Sequence, residues 1–215
     1  ASLIYESNVD GVWQIFSLDI ATLEITQITT GDIDAHDPQY SHDGTKIAFY
    51  SPTGENGNNV IYVMNADGSG LVNLTNNGYY DFVPQWALDG NAMVWASDRN
   101  GDRSEQGGPT SFDAYLAFFN QDAWDTFHLS EVELKQQQEH DKKADKDDDD
   151  NGSEEDTEDE KDIELPEPVE IDLDGLEDRM LRLTRHSSRM ADADLTPDGA
   201  EAAGVQDIGG LAGPG

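Results

Sequence analysis

Three stretches of the chain carry the same punctuation at the same internal spacing. Thr29, Thr75 and Thr184, each preceded by Ile or Leu, are followed fourteen residues later by Asp43-Gly44, Asp89-Gly90 and Asp198-Gly199. The first two copies stay in register over a 46-residue period, with Pro38 matching Pro84, Ile47-Ala48-Phe49 matching Met93-Val94-Trp95, and Ser51 matching Ser97. A fixed period of this size marks a unit that cannot bury its own apolar face and must stack on copies of itself.

The residues between these marks read as short antiparallel strands. Leu3–Tyr5, Val12–Leu18 and Leu23–Ile28 are apolar runs separated by Asp10-Gly11 and by residues 19–22. The next unit is clearer: a turn at Asp43-Gly44, strand Lys46–Ser51, a polar loop, strand Val60–Asn65, a turn over residues 66–70, and strand Leu71–Thr75. Asp bonds its own backbone in such turns and Gly accepts positive φ. Three or four short strands per 46 residues is the content of one β-propeller blade.

The third unit starts near Asp81 and is interrupted. Strand Asn91–Ser97 and a loop to Thr110 lead to the apolar run Phe112–Phe118. After residue 121 the spacing is only loosely helical, and Ser130 with Glu133 forms a capping box that predicts a helix over 131–143. Residues 141–162 hold no apolar residue except Ala144 and are expected to be a disordered acidic insert. Val169–Leu173, a turn at Asp174-Gly175 and Met180–Thr184 predict the delayed outer hairpin of the interrupted blade. A further copy begins after Thr184, but Ala202-Ala203-Gly204 stands where the apolar triplet should recur, and the Gly-rich end has almost no strand character.

The reading is therefore all-β: a partial β-propeller comprising the end of one blade, about two further blades and the start of another. Its expected divisions are blades with a short helix over 1–140, the insert over 141–162, the returning hairpin and next blade over 163–199, and a Gly-rich tail over 200–215. Leu3-Ile4-Tyr5 already reads as mid-strand, so the chain is expected to start inside a longer protein. Closure removes sheet edges, and a partial propeller alone is expected to be marginal or aggregation-prone.

Charge narrows the function classes. The net charge is −34, of which residues 131–174 contribute −16 through 21 acids against 5 bases. Such a surface repels phosphates and anionic lipid, so neither nucleic acid nor membrane is an expected partner. No run of eighteen apolar residues predicts a transmembrane helix. The absence of cysteine excludes disulfides and thiolate metal sites.

Several constellations carry chemical letters. Asp147, Asp149, Asn151, Gly152 and Glu158 fit the calcium-loop pattern, but Glu154 replaces the usual apolar anchor and an acid-rich run makes chance matches common. Ser41-His42-Asp43 holds the residue types of nucleophilic catalysis, yet neighbours on a strand end point to alternate sides, and a turn is the simpler reading. His36, His128, His140 and His186 stand in no recognisable constellation. Trp86, Trp95, Tyr79 and Tyr80 could bind a ligand, although Tyr40 with Trp86 and Phe49 with Trp95 are repeat-equivalent and read as inter-blade core. The glycines of 204–215 follow no strand and form no phosphate loop. No catalytic, cofactor-binding or metal residue is assigned, and no cofactor is expected.

Asp37–Gly44 and Tyr62–Gly70 resemble the propeller repeats of the TolB and tricorn type. Phe112–Leu116, Asp122–Asp125, a charged insert and Ile171–Arg179 are similar to the N-terminal propeller of tricorn-type serine peptidases. The resemblance implies a propeller that filters peptide substrates, with the catalytic Ser and His on later domains. It makes this chain a non-catalytic substrate-gating segment whose partners are peptides and, as an assembly, a homo-oligomer. The expected compartment is the cytoplasm. The alternative is a TolB-like propeller for protein–protein binding in the periplasm.

Overall fold

The computed structural model describes residues 1–53, 57–102, 111–130, 133 and 168–185, together with residues 190–195 and 202–206 as backbone strands. Its strands form antiparallel sheets in chain order. Sheet one holds β1 (Ser2–Val9), β2 (Val12–Asp19) and β3 (Ile25–Gln27). Sheet two holds β4 (His36–Tyr40), β5 (Lys46–Ser51), β6 (Val60–Asn65) and β7 (Val72–Asn73). Sheet three holds β8 (Asp81–Ala87), β9 (Ala92–Ser97), β10 (Asp113–Phe118) and β11 (Met180–Arg182). A hairpin of β12 (Met190–Leu195) and β13 (Ala202–Gln206) follows.

The sheets converge at one margin and splay at the other. The first strands touch in series, β4 against β8 and β8 against β12, while β1 lies against β4. Among the described residues, no comparable contact joins the outer strands β3, β7 and β11. Sheets that meet at their first strands and fan out towards their last are the blades of a propeller, and the chain forms part of one. Sheet one supplies the second to fourth strands of its blade, because β1 meets β4 as β5 meets β8.

Alternating side chains glue the blades. Along β5, Ile47 and Phe49 join Ile15, Ala35 and Met64 against sheet one, while Ala48 faces sheet three with Ile61, Val63 and Leu74. Met93, Trp95, Tyr115 and Phe119 answer from sheet three. On the far face of sheet three, Ala92, Val94, Leu116 and Phe118 meet Trp124 and Phe127. Strands β9 and β10 are consequently buried along their whole length, as expected of strands sandwiched between two layers.

The Ile/Leu-Thr mark is a clasp. In blade one the Ile28 N–H donates to the Ile15 carbonyl at 2.8 Å, and the Ile15 N–H donates to Thr29 Oγ1 at 2.8 Å. In blade two Leu74 and Thr75 treat Ile61 identically, at 2.8 and 3.1 Å. In blade three Leu183 and Thr184 do the same to Ala114, at 2.9 and 3.3 Å. The clasped pair is 14 residues apart in the first two blades and 70 in the third.

The structure departs from the sequence-based expectations in four places. The Pro-containing entries are complete first strands, β4 and β8, each broken by a register shift around its proline. A bulge is where a strand accepts a residue that cannot donate to the ladder. Helix α1 (Gln121–Phe127) forms earlier than the capping box implied, with Asn120 accepting the Ala123 N–H at 2.7 Å. The Ser130–Glu133 box does close, at 2.6 Å between Ser130 Oγ and Glu133 Oε2, but most of the helix expected over 131–143 lies outside the described residues. Val169–Leu173 is not a strand of the returning hairpin; among the described residues after α1, β11 is the strand that pairs with β10. Finally, β13 occupies a stretch read as tail, because backbone pairing with β12 sets the strand there despite a weak side-chain signal. The acidic insert over 141–162 lies outside the described residues.

Val169–Leu173 instead crosses the seam between blades two and three. The Val169 N–H donates to Asp43 Oδ2 at 2.7 Å, its side chain covers Gly90, and the Asp172 N–H donates to the Phe119 carbonyl at 2.9 Å. Arg179, only 7% exposed, binds the carbonyls of Phe118, Asp172 and Asp174 with three guanidinium nitrogens. One planar cation thereby fixes the return path to the strand it must pair with.

The clasp makes a direct prediction. Thr75→Val removes the acceptor of the buried Ile61 N–H while keeping the side-chain shape. It should lower stability by about 1–3 kcal/mol, read as a reduced urea midpoint at unchanged slope.

Candidate functional site

The converging margin carries a cavity of about 480 Å³ lined by Ile4, Tyr5, Glu6, Asp37, Pro38, Tyr50 and Val83. These residues come from all three sheets, so the site exists only because the blades stack. Asp37 and Val83 are repeat-equivalent, each precedes a proline, and each has positive φ, 53° and 54°. A β-branched residue such as Val83 adopts that conformation only when its surroundings impose it. Here the bulge in each first strand imposes it and turns the chain towards the cavity.

Glu6 organises the polar wall. Its Oε2 accepts the Asp37 N–H at 2.7 Å, and its Oε1 lies 3.5 Å from His36 Nδ1. His36 sits between the rings of Trp13 and Tyr50, with centroids 5.7 and 5.5 Å away. Burial, then the charges of Asp37 and Glu6, push the Tyr50 hydroxyl above its ordinary range. Two carboxylates beside an aromatic stack suit an amine or guanidinium. Among the described residues the cavity wall contains no serine, threonine or lysine to act as a nucleophile.

Two buried carboxylates have structural duties elsewhere. Asp81 accepts from Trp95 Nε1 at 3.2 Å and Asn77 Nδ2 at 2.8 Å. Burial raises its carboxyl, against the hydrogen bonds of Ser97, Asn77, Thr75 and Trp95. Asp113 receives Arg182 at 2.8 Å and Thr184 at 2.7 Å, tying the third clasp to the start of β10.

The residues singled out by sequence fall as follows. Ser41 donates to Asp43 Oδ1 directly at 2.5 Å, and His42 is exposed on the turn rather than between them. Asp43 further accepts from Thr45 and Val169, so this trio is a turn and an anchor for the return segment. Trp86 and Tyr40 each reach back to the preceding blade, Trp86 Nε1 to the Gln39 carbonyl at 3.2 Å and Tyr40 to Ser17 Oγ at 3.4 Å. Phe49 and Trp95 lie in the inter-blade core. His128 closes α1, with Nδ1 2.7 Å from the Trp124 carbonyl. The calcium-pattern residues Asp147, Asp149, Asn151, Gly152 and Glu158, with His140 and His186, lie outside the described residues. Neither Glu6 nor Tyr50 stands out in the sequence; the repeated proline and His36 are the signals near them.

No protein-family model matches the chain. An uncharacterized protein of Agrobacterium fabrum is 33% identical over 88 residues, covering 41% of this chain and 29% of its own length. Among solved structures, one assigned to TolB from Agrobacterium tumefaciens is 29% identical over 56% of this chain and 42% of its own, with a TM-score of 0.45. A structure of the tricorn protease covers 84% of this chain and 16% of its own, at 16% identity and a TM-score of 0.47. The chain spans less than half the length of each of these proteins, and its fold assignment rests on the sheet geometry above. Among the described residues no helix is long and apolar enough to cross a membrane.

Asp43 yields a pH prediction. Burial pushes its carboxyl up, but hydrogen bonds from Ser41, Thr45 and Val169 outweigh burial and bring it down to about 2 from 3.8. Its stabilising contribution is thus complete above pH 3.8 and is lost as pH falls through about 2. Asp43→Asn should be less stable than the parent chain at neutral pH and should lose less stability between pH 4 and 2 than the parent does, as followed by acid titration of circular dichroism.

Proposed function

We propose that the chain is the non-catalytic, substrate-gating part of a propeller in a tricorn-type serine peptidase, whose catalytic residues lie on other domains. The observation that carries this reading is the cavity at the converging margin, where Glu6, Asp37, Tyr50 and Val83 from successive blades line the side nearest the propeller axis. A wall of carboxylates and rings offers a passing peptide a place to slide and a preference for cationic groups. The motifs that resemble the tricorn type support it further. Phe112–Leu116 runs into β10, Asp122–Asp125 packs from α1 on one face of blade three and Ile171–Arg179 on the other, with Arg179 pinning the return segment to Phe118. The gate works with peptides as partners, in a cytoplasmic homo-oligomer.

A second reading, a TolB-like propeller for protein–protein binding, draws on the exposed Leu3 and Ile25 of sheet one and Ile20 and Leu23 of the loop between β2 and β3. The two part on chemistry. A peptidase parent hydrolyses peptides and stops when a serine downstream of the propeller is replaced; a binding propeller hydrolyses nothing. For the gate itself, Glu6→Gln with Asp37→Asn in the full-length parent should raise KM for Lys- and Arg-containing peptides roughly three- to tenfold with kcat unchanged, since uniform binding is what is lost. An unchanged KM for such peptides would remove the gate from this cavity.

A further inference from the structure

Between the outer halves of blades two and three lies a second groove, of about 330 Å³, away from the converging margin. Leu74, Trp95, Leu173, Leu176 and Met180 make its apolar walls, and Arg99 lines it from the loop after β9. The Arg99 guanidinium lies over the rings of Tyr79 and Tyr115, 5.2 and 5.6 Å from their centroids. Tyr115 is itself held by a hydrogen bond from its hydroxyl to Asn100 Oδ1. Among the described residues, no carboxylate lies within salt-bridge distance of Arg99, and the bond from its backbone N–H to Ser97 Oγ is its one hydrogen bond.

That contrasts with three other cations among the described residues, while Arg185 stands exposed after β11. Arg179 is saturated by carbonyls, Arg182 is paired with Asp113, and Lys46 donates to Asn65. In a chain of net charge −34, an arginine in a groove, held by two rings and with its side-chain donors unspent among the described residues, is an unusual element. Cation–π contact with two rings holds the guanidinium in place and leaves its N–H groups able to grip a carboxylate in two places. Asn73 and Asn76 line the same wall and their amide NH2 groups make no hydrogen bond among the described residues.

We propose that this groove binds a small aliphatic monocarboxylate, the carboxylate on Arg99 and the aliphatic body against Leu74, Leu176 and Met180. The volume is at the lower end of ligand pockets, enough for one branched acid. A single charge suits the site, because among the described residues Arg99 is the one cation lining it, Glu177 lines it too, and the acidic surface around it repels dianions more than monoanions. The inference goes beyond the peptide-gating reading and does not depend on it.

Calorimetric titration of the full-length parent with 4-methylpentanoate, 4-methylpentanamide and the dipeptide acid acetyl-Ala-Leu tests it. The acid should bind saturably and roughly tenfold or more tightly than the amide, an order expected for a charge-assisted bidentate contact. Arg99→Gln should abolish that difference, with circular dichroism reporting the fold. Glu177→Gln, an exposed position, should tighten the acid about twofold and keeps the question open to refutation if the Arg99 variant does not fold. Equal binding of acid and amide, or an acid affinity indifferent to both substitutions, overturns the site. A dipeptide acid bound tenfold more tightly than 4-methylpentanoate overturns the free acid as its ligand. Peptide hydrolysis by the parent has no bearing on any of these outcomes.

Discussion

A threonine and the amide before it hold each blade together. Ile15, Ile61 and Ala114 are each gripped twice, their carbonyl by a backbone N–H and their own N–H by a threonine hydroxyl. The outer strands are otherwise short, two residues in β7 and three in β3 and β11. Ladder bonds alone would hold such strands weakly, so the side-chain acceptor compensates for their length. The apolar residue of the pair serves the next layer: Ile28 and Leu74 pack into the seams between successive blades. One dipeptide thus closes a sheet and glues it to its neighbour, which is why it recurs at a fixed distance from the following Asp-Gly turn.

The third blade shows how much interruption such a clasp tolerates. Lengthening the loop between clasped residues from 14 to 70 costs only about 1.4 kcal/mol of closure entropy, because the cost grows with the logarithm of length. That is comparable with one or two net hydrogen bonds. The return segment makes several: Val169 to Asp43, Asp172 to Phe119, and three from Arg179. Gly90 takes part by lacking a side chain, since a Cβ there would collide with Val169. The return segment therefore belongs to two blades at once and strengthens the seam between them.

The repeat was readable in residues because two of its parts are purely local. Lys46–Ser51 and Val60–Asn65 are apolar enough, and Asp43-Gly44 specific enough, to be placed to the residue. What escaped depends on partners distant in sequence. The first strands β4 and β8 contain prolines that speak against a strand until the bulge is seen. Helix α1 is seven residues long, owes its start to Asn120 and its stability to packing on Phe118, so periodicity had little to work with. Glu6 and Asp37 meet across two blades, and Arg99 finds Tyr79 and Tyr115 across two loops; no spacing in the sequence announces either meeting.

The fold requires the clasp to act equally in three blades despite unequal loops. Amide hydrogen exchange at Ile15, Ile61 and Ala114 measures it directly, since each of these N–H groups is bound to a threonine hydroxyl. All three should be protected to a similar degree and well above the amides of exposed turns such as Gly11 and Gly44. Rapid exchange at Ala114 alone would mean that the interrupted blade is not closed by Thr184, and rapid exchange at all three would contradict the stacked-blade fold itself.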